Sequence, residues 1–356
     1  MRTLFRTCAV GGLVLLASPA TPQQAGAAAP PAMRLAQGDG TAGRPAPVPP
    51  RPPGRGGRAS GDWVDEPFQR SVRLGSRGSV ELTALFGAIT FTGTDGNVVR
   101  INAVKRVQEA NRDFARSVLQ NVQIRVTERG GGIEVLTEQP TVRTPIAVDY
   151  TIEVPMATSV SIRSFGGPIN VGGVKGELRI EAFGGGDMTL SSVGRVRTAK
   201  SAGGNVTITG AEGDEVNAET FLGQLVVRDV KARSVELRSI RGPITIVDTL
   251  CDRCTANSTN GSIEFSGPLK PEGRYTLNSN EGDIRFIPAP GVGFDLEAMT
   301  SGTFNNDFPL RTGRKTAPAP GSQGRIFRGV FMDGSAILSL RSFTGNLSLI
   351  RKTDPR

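Results

Sequence analysis

The chain of 356 residues carries 42 Lys and Arg against 33 Asp and Glu, a formal net charge of +9, and contains no histidine. The lack of histidine excludes Ser-His-Asp and Cys-His nucleophile systems and histidine metal sites together. Residues 1–60 hold seven Arg and one Asp, which is +6 of the +9 and leaves +3 for the rest, so the basic balance is no argument for nucleic-acid binding.

Residues 1–20 read as a secretory signal peptide: Arg2 and Arg6 come first, an apolar run follows from Ala9 to Ala17, and Ser18 and Ala20 suit cleavage. The run is shorter than the roughly 20 apolar residues of a membrane-spanning helix, and nothing later approaches that length. The mature chain is therefore expected to be exported, to the periplasm, the cell surface or the medium, without a transmembrane segment. Residues 21–61, dense in Pro, Ala, Gly and Arg, have too little apolar material for a core and are expected to be a disordered spacer.

Residues 62–155 are expected to begin a sheet system. In "SRGSVELTALFGAITFTGTDGNVVRINA" the apolar positions alternate through Val80, Leu82, Ile89 and Phe91, and Gly87 stands two residues before Ile89. Over 104–119 the period changes: Val104, Val107, Asn111, Phe114 and Val118 share one helical face, with Ala115 and Leu119 beside them. This predicts a short amphipathic helix, placed to cover exposed strand edges at the end of a stack. Strand patterns resume in "VQIRVTE", "GGIEVLTE" and "IAVDYTIEVP".

Residues 156–310 are a repeat. Gly167, Gly186, Gly204, Gly223, Gly242, Gly261 and Gly282 recur at steps of 19, 18, 19, 19, 19 and 21. Two residues after each glycine comes the column Ile169, Met188, Val206, Leu225, Ile244, Ile263, Ile284; four after comes Val171, Leu190, Ile208, Val227, Ile246, Phe265, Phe286. Apolar residues two apart point to one face of a strand, and a lone rung has nothing to bury them against until copies stack. The pattern predicts an all-β, single-stranded β-solenoid, β-helix-like, with about 19 residues per rung. Three residues before the glycine stand Ser164, Ser201, Thr220, Ser239, Ser258 and Ser279, with Phe183 the exception; a hydroxyl there bonds turn backbone. Residues 311–324 read as an exposed basic Pro/Gly loop, 325–350 as a final rung with Ser342, Gly345, Leu347 and Leu349 in the repeat's places, and 351–356 as a polar tail.

Little in the chain suggests catalysis. Cys251 and Cys254 are the cysteines left after processing; in an oxidising compartment a local disulfide across a rung corner is the plain reading, two free thiols the alternative. Asp187, Asp214, Glu215, Glu264 and Asp283 are the carboxylates to weigh. Asp187 and Asp283 occupy equivalent positions five rungs apart, on the order of 24 Å along a stack, too far for a glycosidase pair. Glu264 and Asp283 are nearer, but Arg285 beside them makes an ion-paired surface the simpler reading. The outward column Asn170, Thr189, Thr207, Val226, Thr245, Glu264, Arg285 is mostly neutral and polar and offers no aromatic platform. No cofactor or metal site is indicated.

The helix-interrupted front, the "IEVP" lead-in and rungs such as "SFGGPINVGGVKGELRI" and "SNEGDIRF" resemble the bacterial putative-adhesin family, a domain-of-unknown-function family of β-solenoids, over roughly Val72 to Ile350. The resemblance implies an exported or envelope-associated solenoid and carries no catalytic residues across. The expected function is thus a non-enzymatic adhesin-like interaction or structural module at the cell envelope, with an envelope protein or glycan as partner and end-to-end self-association as a further mode. The alternative is a polysaccharide-active solenoid enzyme using surface carboxylates.

Overall fold

The computed structural model describes residues 62–75, 78–311 and 324–352. The expected signal peptide and spacer, the basic loop between Arg311 and Gly324, and the last four residues of the tail lie outside the described residues.

Alternating apolar residues place strands on two walls around one interior. Each repeat supplies a short strand to the first wall, such as Leu225–Arg228, and a longer one to the second, such as Lys231–Ser239. Among the described residues both walls are 13-stranded sheets, and the protein is an all-β solenoid wound by one chain path. Leu225, Ile244 and Ile263 pair in register and are all but fully buried, with sequence offsets of 19 between neighbours. The second sheet has its own inward columns. One runs Val216, Val235, Cys254, Tyr275 and another Ala218, Leu237, Ala256, Leu277. Val174, Val193, Ala211 and Val230 fill the corner between the two strands of a rung. A rung therefore buries two residues, a corner residue and two more.

The opposite corner carries the glycine. In five rungs the hydroxyl of Ser201, Thr220, Ser258, Ser279 or Ser342 accepts the N–H of the glycine three residues on, at 2.8–3.1 Å, while that of Ser239 donates to the Gly242 carbonyl at 2.7 Å. Several of the same hydroxyls donate to the glycine carbonyl of the preceding rung, Thr220 to Gly204 at 3.1 Å and Ser342 to Gly282 at 2.9 Å. The hydroxyl column thus satisfies buried corner backbone and ties rung to rung.

At the N-terminal end the chain leaves the parallel stack. Ile89–Thr94 lies directly on Ile169–Gly172, and beyond it the first sheet is extended by Ile146–Pro155, Val98–Gln108 and Trp63–Arg73, the last two joined antiparallel. Trp63–Arg73 is the edge, and its Pro67, Asp65, Glu66 and Arg70 discourage further pairing. The helix predicted over 104–119 is corrected here: residues 98–108 are strand, and the helix is Arg112–Asn121. Val99, Ile101, Ala103 and Val107 are buried with period two, and the alternation is masked in the sequence because Lys105 fills the inward slot between the last two. Its ammonium is held 2.8 Å from Glu66 on the edge strand. Asn111, expected on the apolar face, is the N-cap, accepting the N–H groups of Asp113 and Phe114 at 3.0 and 3.1 Å. The helix links a strand of the first sheet to Gln123–Arg129 of the second, burying Ala115, Val118 and Leu119 in the same core. Asn111→Ala should cost about 1 kcal/mol of stability, read as a lowered urea midpoint at unchanged slope; no change would mean the helix end is satisfied otherwise. Nearby, Tyr150 of the first sheet and Thr137 of the second share a buried hydrogen bond of 2.8 Å, and burial pushes the phenol up to about 12.

At the C-terminal end chain order and spatial order part. The last rung in sequence is not the last in space: Leu347–Leu349 pairs with Ile284–Pro288 on one side and Phe304–Asn306 on the other. The strand carrying Leu347 and Leu349, both fully buried, takes the interior position, while Asn306, polar where the repeat wants an apolar residue, lies exposed on the edge. Arg325–Phe331 closes the second sheet antiparallel to Phe294–Thr300.

Candidate functional site

Cys251 and Cys254 do not flank a corner. Both lie on Leu250–Ser258 and are fully buried as thiols, with Asp252 and Arg253 exposed between them. Cys254 stands in the inward column between Val235 and Tyr275, where it acts as a small apolar residue. Its hydrogen bond with Cys251, together with burial, holds the Cys254 thiol well above its ordinary range. A thiol in that state is a poor nucleophile.

The carboxylates weighed from the sequence are engaged in the lattice of the solenoid. Glu264 faces Arg285, its register partner one rung on, at 3.5 Å. Asp283 accepts the backbone and side-chain N–H groups of Asn346 at 2.7 and 3.2 Å, and Asp187 does the same for Asn205 at 2.9 and 3.1 Å. Glu215 accepts from the Asn217 amide at 2.7 Å. Asp214 lies between Arg195 at 3.3 Å and Arg233 at 2.6 Å, and the hydrogen bond and charge of Arg233 pull its carboxyl below the ordinary range.

The two outward faces differ. The face of the first sheet is the neutral column read from the sequence. On the second sheet, Arg163, Glu181, Lys200, Glu219 and Arg238 are successive register partners and alternate in sign. A second alternating column runs Glu177, Arg195, Asp214, Arg233. Exposed pairs of this kind contribute ~0–1 kcal/mol each. Their larger effect is on register, since a slip by one rung would set like charge against like.

A third surface was missed in the sequence reading because it sits beside the glycine, off the sheet faces. In the second rung the residue that pairs with the corner hydroxyls of Ser164 and Ser201 is Ala182, and not Phe183 as the spacing from the glycine suggested. The residue directly after the hydroxyl position is therefore Phe165, Phe183, Ala202, Phe221 and Ile240 in successive rungs. Backbone bonds from Phe183 to Ser164, Ala202 to Ala182, Phe221 to Ser201 and Ile240 to Thr220, at 2.9–3.2 Å, stack them in one line along the corner. Phe183 is 54 % and Phe221 52 % exposed, and Phe165, Leu222 and Phe86 are similarly open. The Phe165 and Phe183 rings are 5.5 Å apart, and the Phe86 ring lies over Gly166. An aromatic platform is therefore present, at the corner and not in the outward column where the sequence reading sought it. Half-exposed rings in this number leave an apolar ridge on the order of 400 Å². On one side it is rimmed by the alternating charges from Arg163 to Arg238, on the other by Asp187, Asn205 and Gln224, bonded to one another rung to rung. An apolar centre with a polar rim is the anatomy of an interaction patch. The signal available in the sequence was the recurrent bulky residue two before the glycine at Phe165, Phe221 and Ile240, and three before it at Phe183.

Among the described residues no helix is long and apolar enough to cross a membrane. No curated protein matches the sequence. Among solved structures, a putative adhesin from Bacteroides fragilis NCTC 9343 is similar at 12 % identity and a TM-score of 0.41, covering 80 % of this chain and 97 % of that one. A putative adhesin from Parabacteroides distasonis ATCC 8503 is similar at 10 % identity and a TM-score of 0.42, with coverage of 80 % and 97 %. The Toastrack DUF4097 family matches residues 89–317, from the first parallel rung to beyond the last repeat glycine of the regular series. The chain belongs to the Toastrack DUF4097 family.

Proposed function

We propose that this chain is an exported, non-enzymatic β-solenoid that works as an adhesin-like interaction module at the bacterial cell envelope, meeting its partner through the corner ridge of Phe86, Phe165, Phe183, Phe221 and Ile240. The observation that carries this is the ridge itself: large apolar side chains held in line on a rigid corner, where burial against a partner is the only gain they offer. The leader pattern of residues 1–20 and the basic spacer support export and an envelope setting. The non-enzymatic reading is supported by the engagement of Glu264 and Asp283 with Arg285 and Asn346.

The test compares the purified mature chain with F165S/F183S/F221S on a glycan array and on isolated envelope fractions. The wild-type chain is expected to retain a discrete envelope component, and the triple variant to bind it at least about tenfold more weakly while melting at the same temperature. Equal retention by both would remove the ridge from the interface, and retention of nothing by the wild type would remove the adhesin-like reading.

A further inference from the structure

At the C-terminal end, far along the stack from the rungs that carry the ridge, three rings close on one another. Phe294 and Phe308 meet edge-to-face at 5.3 Å, Phe308 and Phe331 edge-to-face at 4.9 Å, and Phe294 and Phe331 at 5.2 Å. They form one side of a cavity of about 180 Å³, whose remaining wall is the segment from Pro288 to Val292 together with Met332. Arg351 and Lys352 complete its lining. The Arg351 guanidinium stands 5.4 Å from the Phe308 ring centre and 6.0 Å from that of Phe331, so the aromatic faces fix a cation at the rim. The backbone N–H of Arg351 is bound by Asp307 at 3.3 Å, and Arg311 donates to the Met332 carbonyl, which secures the opposite lip.

An apolar pocket whose mouth holds two cations and whose own lining supplies no carboxylate is complementary to a molecule with an apolar body and a single negative head. The volume lies below the ~300–1,000 Å³ of pockets for drug-sized ligands, which restricts the body to a short chain. We infer that the cavity between Phe294, Phe308, Phe331 and Met332 is a binding site for a free medium-chain fatty acid, its acyl chain against the three rings and its carboxylate paired with Arg351 and Lys352. The carboxylate gains charge-assisted hydrogen bonds there, and the chain leaves water for an already formed apolar wall. The site is separate from the ridge, and its occupancy does not depend on the function proposed above.

Titration of the mature chain with sodium octanoate, followed by calorimetry and by the Met332 methyl resonance, tests this. Saturable one-to-one binding is expected, with the Met332 methyl shifting along the isotherm, octan-1-ol binding more weakly and butyrate more weakly still. R351Q/K352Q should weaken octanoate binding about tenfold. Because those side chains and that of Met332 are exposed, the changes leave the core intact; M332E, which sets a carboxylate at the mouth, should weaken it further. Absence of saturable binding, or equal affinity in wild type, R351Q/K352Q and M332E, would overturn the assignment.

Discussion

Gly242→Ala should destabilise the solenoid by ~3 kcal/mol, the upper end of what overpacking costs. A Cβ at this position would fall 1.7 Å from the Gly223 carbonyl oxygen and 2.4 Å from its carbon, atoms of the rung beneath. Side chains yield to such a contact by changing rotamer, but backbone held in a ladder yields only by separating the rungs. Leu225 and Ile244 begin two residues later and are bonded in register, so the corner cannot open without loosening both columns. The contrasting site is Gly185, where an added Cβ meets nothing within 4 Å; alanine there should leave stability within about 0.5 kcal/mol of wild type or raise it by restricting the unfolded chain. Urea melts at constant slope separate the two. A G242A midpoint equal to that of wild type would mean the rungs are not stacked as closely as described.

Phe265→Ala is expected to cost ~3–5 kcal/mol. Phe265 is fully buried and lies stacked on Phe286 of the next rung, 4.6 Å between centres with the planes 8° apart, while Tyr275 meets it edge-on at 5.3 Å. Removing the ring leaves a void between two rungs that their hydrogen bonds keep apart, so little of it collapses. Phe221→Ala, on the exposed ridge, should cost much less, because that ring is already half in water in the folded protein and loses little by unfolding. In a stack where each rung touches its neighbours only, the Phe265 defect should also open locally. Hydrogen exchange should speed first at Ile263–Gly267 and Ile284–Pro288, the strands that carry the stacked rings. Uniform exchange across both sheets, or equal melts for the two variants, would show that burial in this column is not what holds the rungs.

The inward columns of the first sheet were legible in the sequence, since a residue repeated at a fixed step must meet its own copies once the chain is coiled. Leu225, Ile244 and Ile263 needed only their spacing to be placed. The second strand of each rung was harder to read. Its inward residues include Ala199, Ala218, Cys254 and Ala256, small or irregular choices that fill the volume left by larger residues opposite, and volume is shared between walls that a sequence does not bring together. The helix start failed for a related reason: Lys105 broke the alternation of Val99 to Val107, and the carboxylate that makes an inward lysine tolerable is Glu66 on another strand.

By itself, then, the amino-acid sequence determined that this protein is a stack of similar rungs, with glycine and hydroxyl at one corner and aliphatic columns inside, because those features follow from local spacing and the two-residue period of a strand. Only the tertiary structure decided which rung stands at the end, where Ile284 takes Leu347 as its neighbour from 63 residues away. It alone gathered the phenylalanines of four separate rungs into a ridge and three others into a pocket. Those groupings depend on which corner a side chain leaves and on pairings between distant segments, and neither is written in the period.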